Sequence, residues 1–199
     1  MKLFIASDIH GSAYYCEKML EAREREGSPR MLLLGDLLYH GPRNDLPEAY
    51  APKEVIAMLN PLKSDIYCVR GNCEAEVDQM VLDFPVMADY CLLPLISRKK
   101  AEDGGNGILY DTGHVMFCTH GHVWHEKNLP PLRPGDLLLH GHTHIPGVKR
   151  AGDIMILNPG SVSIPKEGSA HSCAVLEDGI FSLKTLGGET YLEQDLDFL

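Results

Sequence analysis

The sequence predicts an α/β protein built as a four-layer α/β/β/α sandwich, in which two packed mixed sheets are flanked by helices. In the first half of the chain, short apolar runs alternate with segments of helical composition, which indicates right-handed crossovers and a parallel sheet. From about Tyr90 onward the apolar runs are short, lack helical spacing and are separated by glycine, proline or aspartate. This second pattern indicates strands of a mainly antiparallel sheet packed on the first.

The first half divides into three strands and three helices. The helix before Gly27 is rich in Glu, Arg, Ala and Leu, and the glycine is typical of a helix end. The next helix is predicted from about Pro52 to Leu59. The strands are predicted over residues 2–7, 31–34 and 66–69, and the helices over about 12–27, 52–59 and 74–82.

The second half contains six further candidate strands. They lie at residues 92–96, 115–118, 136–140, 154–157, 174–176 and 180–186. Residues 97–106 interrupt them with basic residues and Gly104-Gly105, the composition of a solvated hairpin tip or surface loop.

Bulk properties limit the function classes. At 199 residues the chain can bury a substantial core, and we expect one domain over residues 1–199. A formal net charge of −10 argues against stable nucleic-acid binding. We expect neither a membrane partner nor a signal peptide, because the apolar stretches are too short. Six cysteines without a C-x-x-C pair indicate a reducing, cytoplasmic location.

Chemistry-bearing side chains follow several predicted strands. The segment Gly141-His142-Thr143-His144 comes just after an apolar run, and the two-residue spacing turns both imidazoles to one face of an extended chain. Because the carboxyl ends of strands in an open α/β sheet face one crevice, we expect all such residues to converge. The remaining members of this set are Asp8, His10, Asp36, Asn72 and His120.

These residue types predict a site for two metal ions. Carboxylate, imidazole and amide oxygen, without thiolate, suit borderline-hard divalent ions such as Mn²⁺, Fe²⁺ or Zn²⁺. Seven ligands are too many for one tetrahedral site, whereas two ions that share a bridging carboxylate account for the number. Asp36 is the natural bridge, because Gly35 before it allows a close turn at the strand end.

The ordered set of motifs resembles the calcineurin-like metallophosphoesterase family, whose pattern reads D-x-H, G-D, G-N-H, H and G-H-x-H. The matching blocks run from Asp8 to His144. The similarity is closer to the YfcE-type bacterial phosphodiesterases within that family, through residues 7–12, 40–44, 69–73 and 158–166. The resemblance implies the metallophosphoesterase fold.

The resemblance also implies a ligand assignment and a reaction. Asp8, His10, Asp36 and His144 would hold one ion, and Asp36, Asn72, His120 and His142 would hold the other. The expected cofactors are two divalent ions, Mn²⁺ first, with Zn²⁺, Fe²⁺ or Ni²⁺ as alternatives. A hydroxide held between the ions would attack a small phosphodiester in line. The oligomeric state stays open, with a homo-oligomer as one alternative.

Cys73 departs from the family pattern, which usually has histidine after Gly-Asn. A thiol carries no positive charge and donates hydrogen bonds weakly, so it replaces an imidazolium poorly. The identity of the general acid is therefore open, while the metal ligands are unaffected.

Three other side chains are candidates for catalytic roles. His122 lies two residues after His120 and is either a proton donor or partner of the ligands, or a structural residue. Arg43 and Arg70 are either phosphate contacts or surface ion pairs. His40 has similar alternatives, a role near the site or a place on the surface. The remaining histidines are expected to be structural or exposed: His114, His125, His140 and His171.

The function predicted first is a metal-dependent phosphodiesterase. Within enzymes, the alternative is a phosphomonoesterase or protein phosphatase, which would need cationic side chains for the extra substrate charge. Outside enzymes, the alternative is a non-catalytic metal-binding scaffold like the retromer subunit of the superfamily.

Overall fold

Three parallel strands begin the fold in the computed structural model, which describes residues 2–99 and 108–196. They are β1 (Lys2–Ala6), β2 (Arg30–Leu33) and β3 (Ile66–Cys68), and β2 lies between the other two. The connecting helices are α1 (Ala13–Glu26) and α2 (Pro52–Leu59), the latter continued by a 3₁₀ turn over Asn60–Asp65. This part of the fold matches the sequence prediction closely.

Local signals fix the ends of α1. The Ser12 hydroxyl accepts a hydrogen bond from the Tyr15 amide, which satisfies one of the free N–H groups of the first turn. At the other end, Gly27 adopts φ 62° and donates its N–H back to the last turn. Cys16, Met19 and Ala22 lie on the buried face of the helix.

The last three strands complete the same sheet. They are β9 (Ser172–Glu177), β10 (Ile180–Thr185) and β11 (Thr190–Asp195), and they add antiparallel to β1 in the order β11-β10-β9-β1-β2-β3. The expectation that residues 174–176 and 180–186 belong to the second sheet is wrong. An apolar run specifies that a strand is buried, but not which strand it pairs with, and here Ala174 pairs with Ile5.

The second sheet is mixed. It consists of β4 (Tyr90–Lys99), β5 (Ile108–Thr119), β6 (Leu137–Leu139), β7 (Gly147–Ala151) and β8 (Ile154–Asn158) in the order β4-β5-β6-β8-β7. Only the two edge strands run antiparallel to their neighbours, while β5, β6 and β8 are parallel. The expected antiparallel majority is therefore wrong, and the three parallel strands end at the same edge. Most of the predicted loop at 97–106 lies outside the described residues.

The two sheets pack face to face, and the side chains alternate between layers. Ile5 and Leu32 of the first sheet meet Met116 and Leu139 of the second in a shared core. The opposite face of the first sheet, with Phe4, packs against the helices. The α/β class with two mixed sheets is thus confirmed.

The outer face of the second sheet is covered differently. Phe117 and Leu138 pack against Trp124, Leu129 and Leu132 from the irregular segment that follows β5. In the part of the chain that the structure describes, this segment takes the place of the outer helical layer on that side. No helix among those residues is long and apolar enough to cross a membrane.

Candidate metal centre

The seven predicted ligands converge where the carboxyl edges of the two sheets meet. Each one follows a strand by a few residues. Asp8 and His10 follow β1, Asp36 follows β2, Asn72 follows β3, His120 follows β5, and His142 and His144 follow β6. The convergence expected from the sequence is present in the structure.

Most of these residues adopt an unusual backbone conformation. Left-handed φ angles near +60° are uncommon outside glycine and cost roughly 1 kcal/mol or more each, so the surrounding structure must hold them. Of the eight non-glycine residues with positive φ among those described, five are predicted ligands. They are Asp8 (61°), His10 (51°), Asp36 (56°), His142 (63°) and His144 (61°).

Backbone hydrogen bonds between the loops hold this conformation. The Asp8 amide donates to the Gly35 carbonyl at 3.1 Å, and the His10 amide donates to the Asp36 carbonyl at 2.8 Å. The His142 amide donates to the Asp8 carboxylate (Oδ2) at 3.0 Å. The loops of the two sheets are therefore joined through the Asp8 carboxylate, which is itself a predicted metal ligand.

Two glycines permit this close approach. A Cβ on Gly35 would lie 2.4 Å from the amide nitrogen of Gly71, and one on Gly141 would lie 1.9 Å from Ser7 Oγ. The glycines of the Gly-Asp and Gly-His-x-His motifs are thus required by contact between loops, in addition to the φ of +92° at Gly35.

One cluster of ligand atoms comprises Asp8, His10 and His144. Asp8 Oδ1 lies 3.1 Å from His144 Nε2 and 3.5 Å from His10 Nε2. The two Nε2 atoms are 3.3 Å apart. All three side chains are buried. Their ligand atoms lie close enough together to hold one ion.

The second cluster comprises His120, His142 and Asn72. His120 Nε2 lies 3.1 Å from His142 Nδ1 and 3.1 Å from Asn72 Oδ1. Asp36 Oδ2 connects this cluster to the first, at 3.3 Å from His120 Nε2 and 3.7 Å from His10 Nε2. Asp36 therefore lies between the two clusters, where the sequence places the bridging carboxylate.

Backbone carbonyls set the tautomers of three histidines. His10, His120 and His144 each donate from Nδ1 to a carbonyl oxygen, of Tyr39 (2.8 Å), Leu34 (2.7 Å) and Ile164 (2.7 Å) respectively. In a neutral imidazole this leaves Nε2 without a proton, pointing into the site. Such outer hydrogen bonds are typical of metal-ligating histidines.

The consequence is a group of electron-rich atoms with no proton between them. Asp8 Oδ1 is fully buried and accepts no hydrogen bond within the described parts of the chain, although two imidazole nitrogens are close to it. Unprotonated acceptors repel one another at this separation unless positive charge lies among them. The donor set therefore fits divalent cations.

Without a metal ion, protons take over this role. Burial lowers the pKa of His120, but the hydrogen bond to Asp36 and the charges of Asp8 and Asp36 outweigh it and raise the pKa to about 9. His142 behaves oppositely, because burial and the neighbouring His120 lower its pKa to about 4. Burial raises the pKa of Asp8, yet the neighbouring imidazoles of His10, His144 and His120 hold it well below its usual range.

Cys73 lies beside the bridging carboxylate. Its amide donates to Asp36 Oδ1 at 2.9 Å, and its thiol donates to Asp36 Oδ2 at 3.3 Å. Burial and the charge of Asp36 raise the pKa of the thiol, which therefore stays protonated. A protonated thiol neither attacks phosphorus nor competes as a thiolate ligand.

The structure separates the other catalytic candidates. The exposed side chain of Arg43 lines the cavity in front of the metal centre, which has a volume of about 460 Å³. His122 is exposed, with its ring centroid 5.5 Å from that of His120. Arg70 is half-buried and donates weakly to the Glu74 carbonyl at 3.5 Å. Arg70 is absent from the described lining of the cavity.

The remaining histidines lie outside the two clusters. His171 stacks on Tyr15 with ring centroids 3.8 Å apart, and His114 lies 3.6 Å from an Asp136 carboxylate oxygen. The half-buried His40 contacts the ring of Tyr50 edge-on. His140 is buried and His125 is half-buried.

Two functional candidates escaped sequence reasoning. The exposed Lys166 lines the metal cavity and donates its backbone N–H to the His144 carbonyl. Glu74 is buried, and its carboxylate accepts backbone hydrogen bonds from Asp36 (2.9 Å), Leu37 (2.7 Å) and Gly71.

Glu74 thus joins the turn that carries the bridging carboxylate to the turn that carries Asn72. The predicted helix over 74–82 hid this role, because the helix, α3, covers only Glu76–Gln79. The signal for this role in the sequence is an acidic residue directly after Gly-Asn-Cys.

Known proteins resemble this chain in sequence and in structure. Residues 1–178 match the family described as the calcineurin-like phosphoesterase superfamily domain. Phosphodiesterase YfcE of Escherichia coli K12 is 41% identical over 194 residues, which cover 98% of this chain and 97% of YfcE. A solved structure of YfcE, a phosphoesterase from E. coli, has a TM-score of 0.86 at 41% identity and covers 98% of this chain and 100% of that one.

A more distant likeness concerns the fold alone. Wild-type Vps29 of Entamoeba histolytica, solved in complex with Zn²⁺, has a TM-score of 0.54 at 18% identity. The match covers 98% of this chain and 99% of Vps29.

The metal-free protein is expected to lose stability as pH rises from 6.5 to about 9. The pKa of His120 is raised from 6.5 to about 9, so its proton stabilises the fold fully below 6.5 and this contribution is lost as pH rises through 9. Urea denaturation in the presence of a chelator, repeated across this pH range, measures the change in the free energy of unfolding. Added Mn²⁺ should abolish the alkaline loss, because the ion replaces the proton. A free energy of unfolding that does not change with pH in the presence of the chelator would contradict this account.

The Glu74→Gln substitution is expected to weaken metal binding roughly 10-fold or more. The NH₂ group of glutamine is a donor and would face a backbone N–H, whereas the carboxylate oxygen in that place accepts a hydrogen bond from it. Titration calorimetry with Mn²⁺ gives the affinity. The exposed Glu76→Gln, which removes the same charge two residues away, is the matched control and should bind as the unaltered protein does. Equal affinities for the two variants would show that Glu74 does not position the ligands.

Proposed function

The chain belongs to the calcineurin-like phosphoesterase superfamily, and from this we propose that it is a phosphodiesterase whose nucleophile is a hydroxide supplied by two divalent metal ions. Family membership and full-length similarity to YfcE support phosphoester hydrolysis. The observation that carries the dimetal proposal is the pair of ligand clusters joined by one oxygen of Asp36.

We assign the residues to two ions by their distances. Asp8, His10 and His144 would hold one ion, His120, His142 and Asn72 would hold the other, and Asp36 would bridge them. When bound, such ions make hydroxide available at neutral pH and withdraw charge from phosphoryl oxygens. We propose Mn²⁺ as the first candidate for this mixed set of oxygen and nitrogen donors, and Zn²⁺, Fe²⁺ or Ni²⁺ could occupy the same residues.

The chain itself orients the reactants. The carbonyl partners of the imidazoles fix the ligands in place, and the cationic side chains of Arg43 and Lys166 lie where they can contact phosphate oxygens. Cys73 orients Asp36 through two hydrogen bonds, and the raised pKa of its thiol makes it a poorer general acid than an imidazolium. We therefore expect diesters with acidic leaving alcohols to react fastest.

A phosphomonoesterase is the second candidate. A monoester carries an additional negative charge, and the two cations that line the cavity, Arg43 and Lys166, could match it. A non-catalytic scaffold is less consistent with the complete ligand set and with the buried carboxylate oxygen of Asp8 that lacks a hydrogen bond within residues 2–99 and 108–196.

We propose a cytoplasmic protein that acts on small phosphodiesters. All six cysteines are free thiols, as a reducing compartment allows. The net charge of −10 opposes stable binding to nucleic acid.

Hydrolysis of bis-p-nitrophenyl phosphate is expected in Mn²⁺ and should disappear in excess chelator. Release of p-nitrophenolate gives kcat/KM directly, and p-nitrophenyl phosphate assayed beside it separates the diesterase from the monoesterase. Preference for the monoester would overturn the diesterase proposal in favour of the second candidate. Absence of hydrolysis of either ester by the manganese-loaded protein would favour a scaffold.

The His144→Ala substitution is expected to reduce bound Mn²⁺ from two ions per chain to one, because it removes a ligand of a single cluster. Elemental analysis after dialysis counts the ions. His114→Ala, which removes a half-buried imidazole outside both clusters, is the control and should keep two. Simultaneous loss of both ions from His144→Ala would contradict the division of ligands.

A further inference from the structure

A second cavity adjoins the metal centre and has a volume of about 360 Å³. His142 and Thr143 line both this cavity and the one in front of the metal ligands, so the two cavities are adjacent. Its walls are the segment 121–127 after β5 and the segment 145–149 that leads into β7.

We propose that this cavity is a subsite for one ester arm of the substrate, and that it selects an arm bearing a planar aromatic or heteroaromatic ring. The proposal rests on the proposed function, since it places the phosphate at the metal centre. Two kinds of ester arm carry such a flat ring, an aryl group and a nucleoside.

Position is the first argument for this assignment. The His142 imidazole separates the two cavities, and its Nδ1 belongs to the proposed metal ligands. His122 stands at the same boundary, with its ring centroid 6.3 Å from that of His142 and 5.5 Å from that of His120. An ester arm attached to a phosphate at the metal centre would therefore lie next to this space, beyond His142.

The lining is the second argument. Ile145 and Ile156 present aliphatic surface, and His122, His125 and His140 add imidazole rings, which together suit the faces of a planar ring. A volume of about 360 Å³ lies in the lower part of the range for small-molecule sites, roughly 300–1,000 Å³, and suits a ring with a linker.

Polar groups that line the cavity offer hydrogen-bond donors and acceptors to the edge of a bound ring. His140 donates from Nδ1 to the Gly141 carbonyl at 3.0 Å, so Nε2 of the neutral ring is an acceptor. The Thr143 hydroxyl accepts a hydrogen bond from the Asn158 amide at 3.0 Å, which leaves its own proton to donate. At the rim, Lys149 pairs with Glu126 at 3.4 Å and connects the two walls.

Gly147 offers a direct test, because it lines the cavity and a Cβ placed on it meets no atom within 4 Å. The Gly147→Leu variant should therefore fill the subsite without strain. Gly187→Leu is the matched control, since Gly187 lies in an exposed turn and its Cβ would meet only Thr185 Oγ1, at 3.5 Å. Ile145→Ala, which removes apolar surface instead of adding it, is the second variant should Gly147→Leu fail to fold.

The experiment measures the affinity of the manganese-loaded protein for methylphosphonate, phenylphosphonate and thymidine 5′-monophosphate by calorimetry. We expect at least one of the two ring-bearing ligands to bind 10-fold or more tighter than methylphosphonate, and the one that does identifies aryl or nucleoside as the source of the ring. In Gly147→Leu that advantage should shrink at least fivefold while methylphosphonate affinity changes less than twofold, and Gly187→Leu should behave as the unaltered protein does. In Ile145→Ala the advantage should shrink at least threefold.

Two other outcomes overturn the proposal. If methylphosphonate binds but neither ring improves affinity, or if the ring advantage survives in both cavity variants, the subsite is wrong and the proposed function stands. If none of the ligands binds and bis-p-nitrophenyl phosphate is not hydrolysed, the proposed function fails and the subsite fails with it.

Discussion

The structure depends on one electrostatic constraint, the crowding of electron-rich atoms where the two sheets meet. Carboxylate oxygens and imidazole nitrogens approach to between 3.1 and 3.7 Å in a buried space. Such an arrangement is unstable unless protons or cations lie among the acceptors. The rest of the site exists to hold these atoms together against their repulsion, which explains the left-handed backbone at Asp8, His10, Asp36, His142 and His144.

Strand direction makes this convergence feasible. The two histidines of the second cluster follow β5 and β6, which run parallel, so His120 and His142 emerge at the same edge of the second sheet. Had these neighbouring strands been antiparallel, their carboxyl ends would lie at opposite edges. The same edge faces the carboxyl ends of β1 to β3, which supply Asp8, Asp36 and Asn72. The parallel pairing of β5 and β6 is therefore what brings these two histidines together.

Support for the ligands comes from a second set of interactions. Backbone carbonyls orient three imidazoles, and the buried carboxylate of Glu74 holds the turns that carry Asp36 and Asn72. Cys73 occupies the position of a family histidine, yet it acts here as a donor to Asp36. We propose that the ligands set the chemistry of the centre, and that Arg43, Lys166 and the cavity beyond His142 determine the choice of ester.

The sequence by itself determined the features that are local. The helix caps at Ser12 and Gly27 and the residues that could bind metal all follow from residue type and spacing. Only the tertiary structure decided which strands pair, as with β9 beside β1, and which distant groups meet, as with Glu74 and the amide of Asp36, 38 residues apart. The physical reason is that an apolar run records burial but not its partner, and a buried carboxylate takes its role from the backbone groups that folding brings to it.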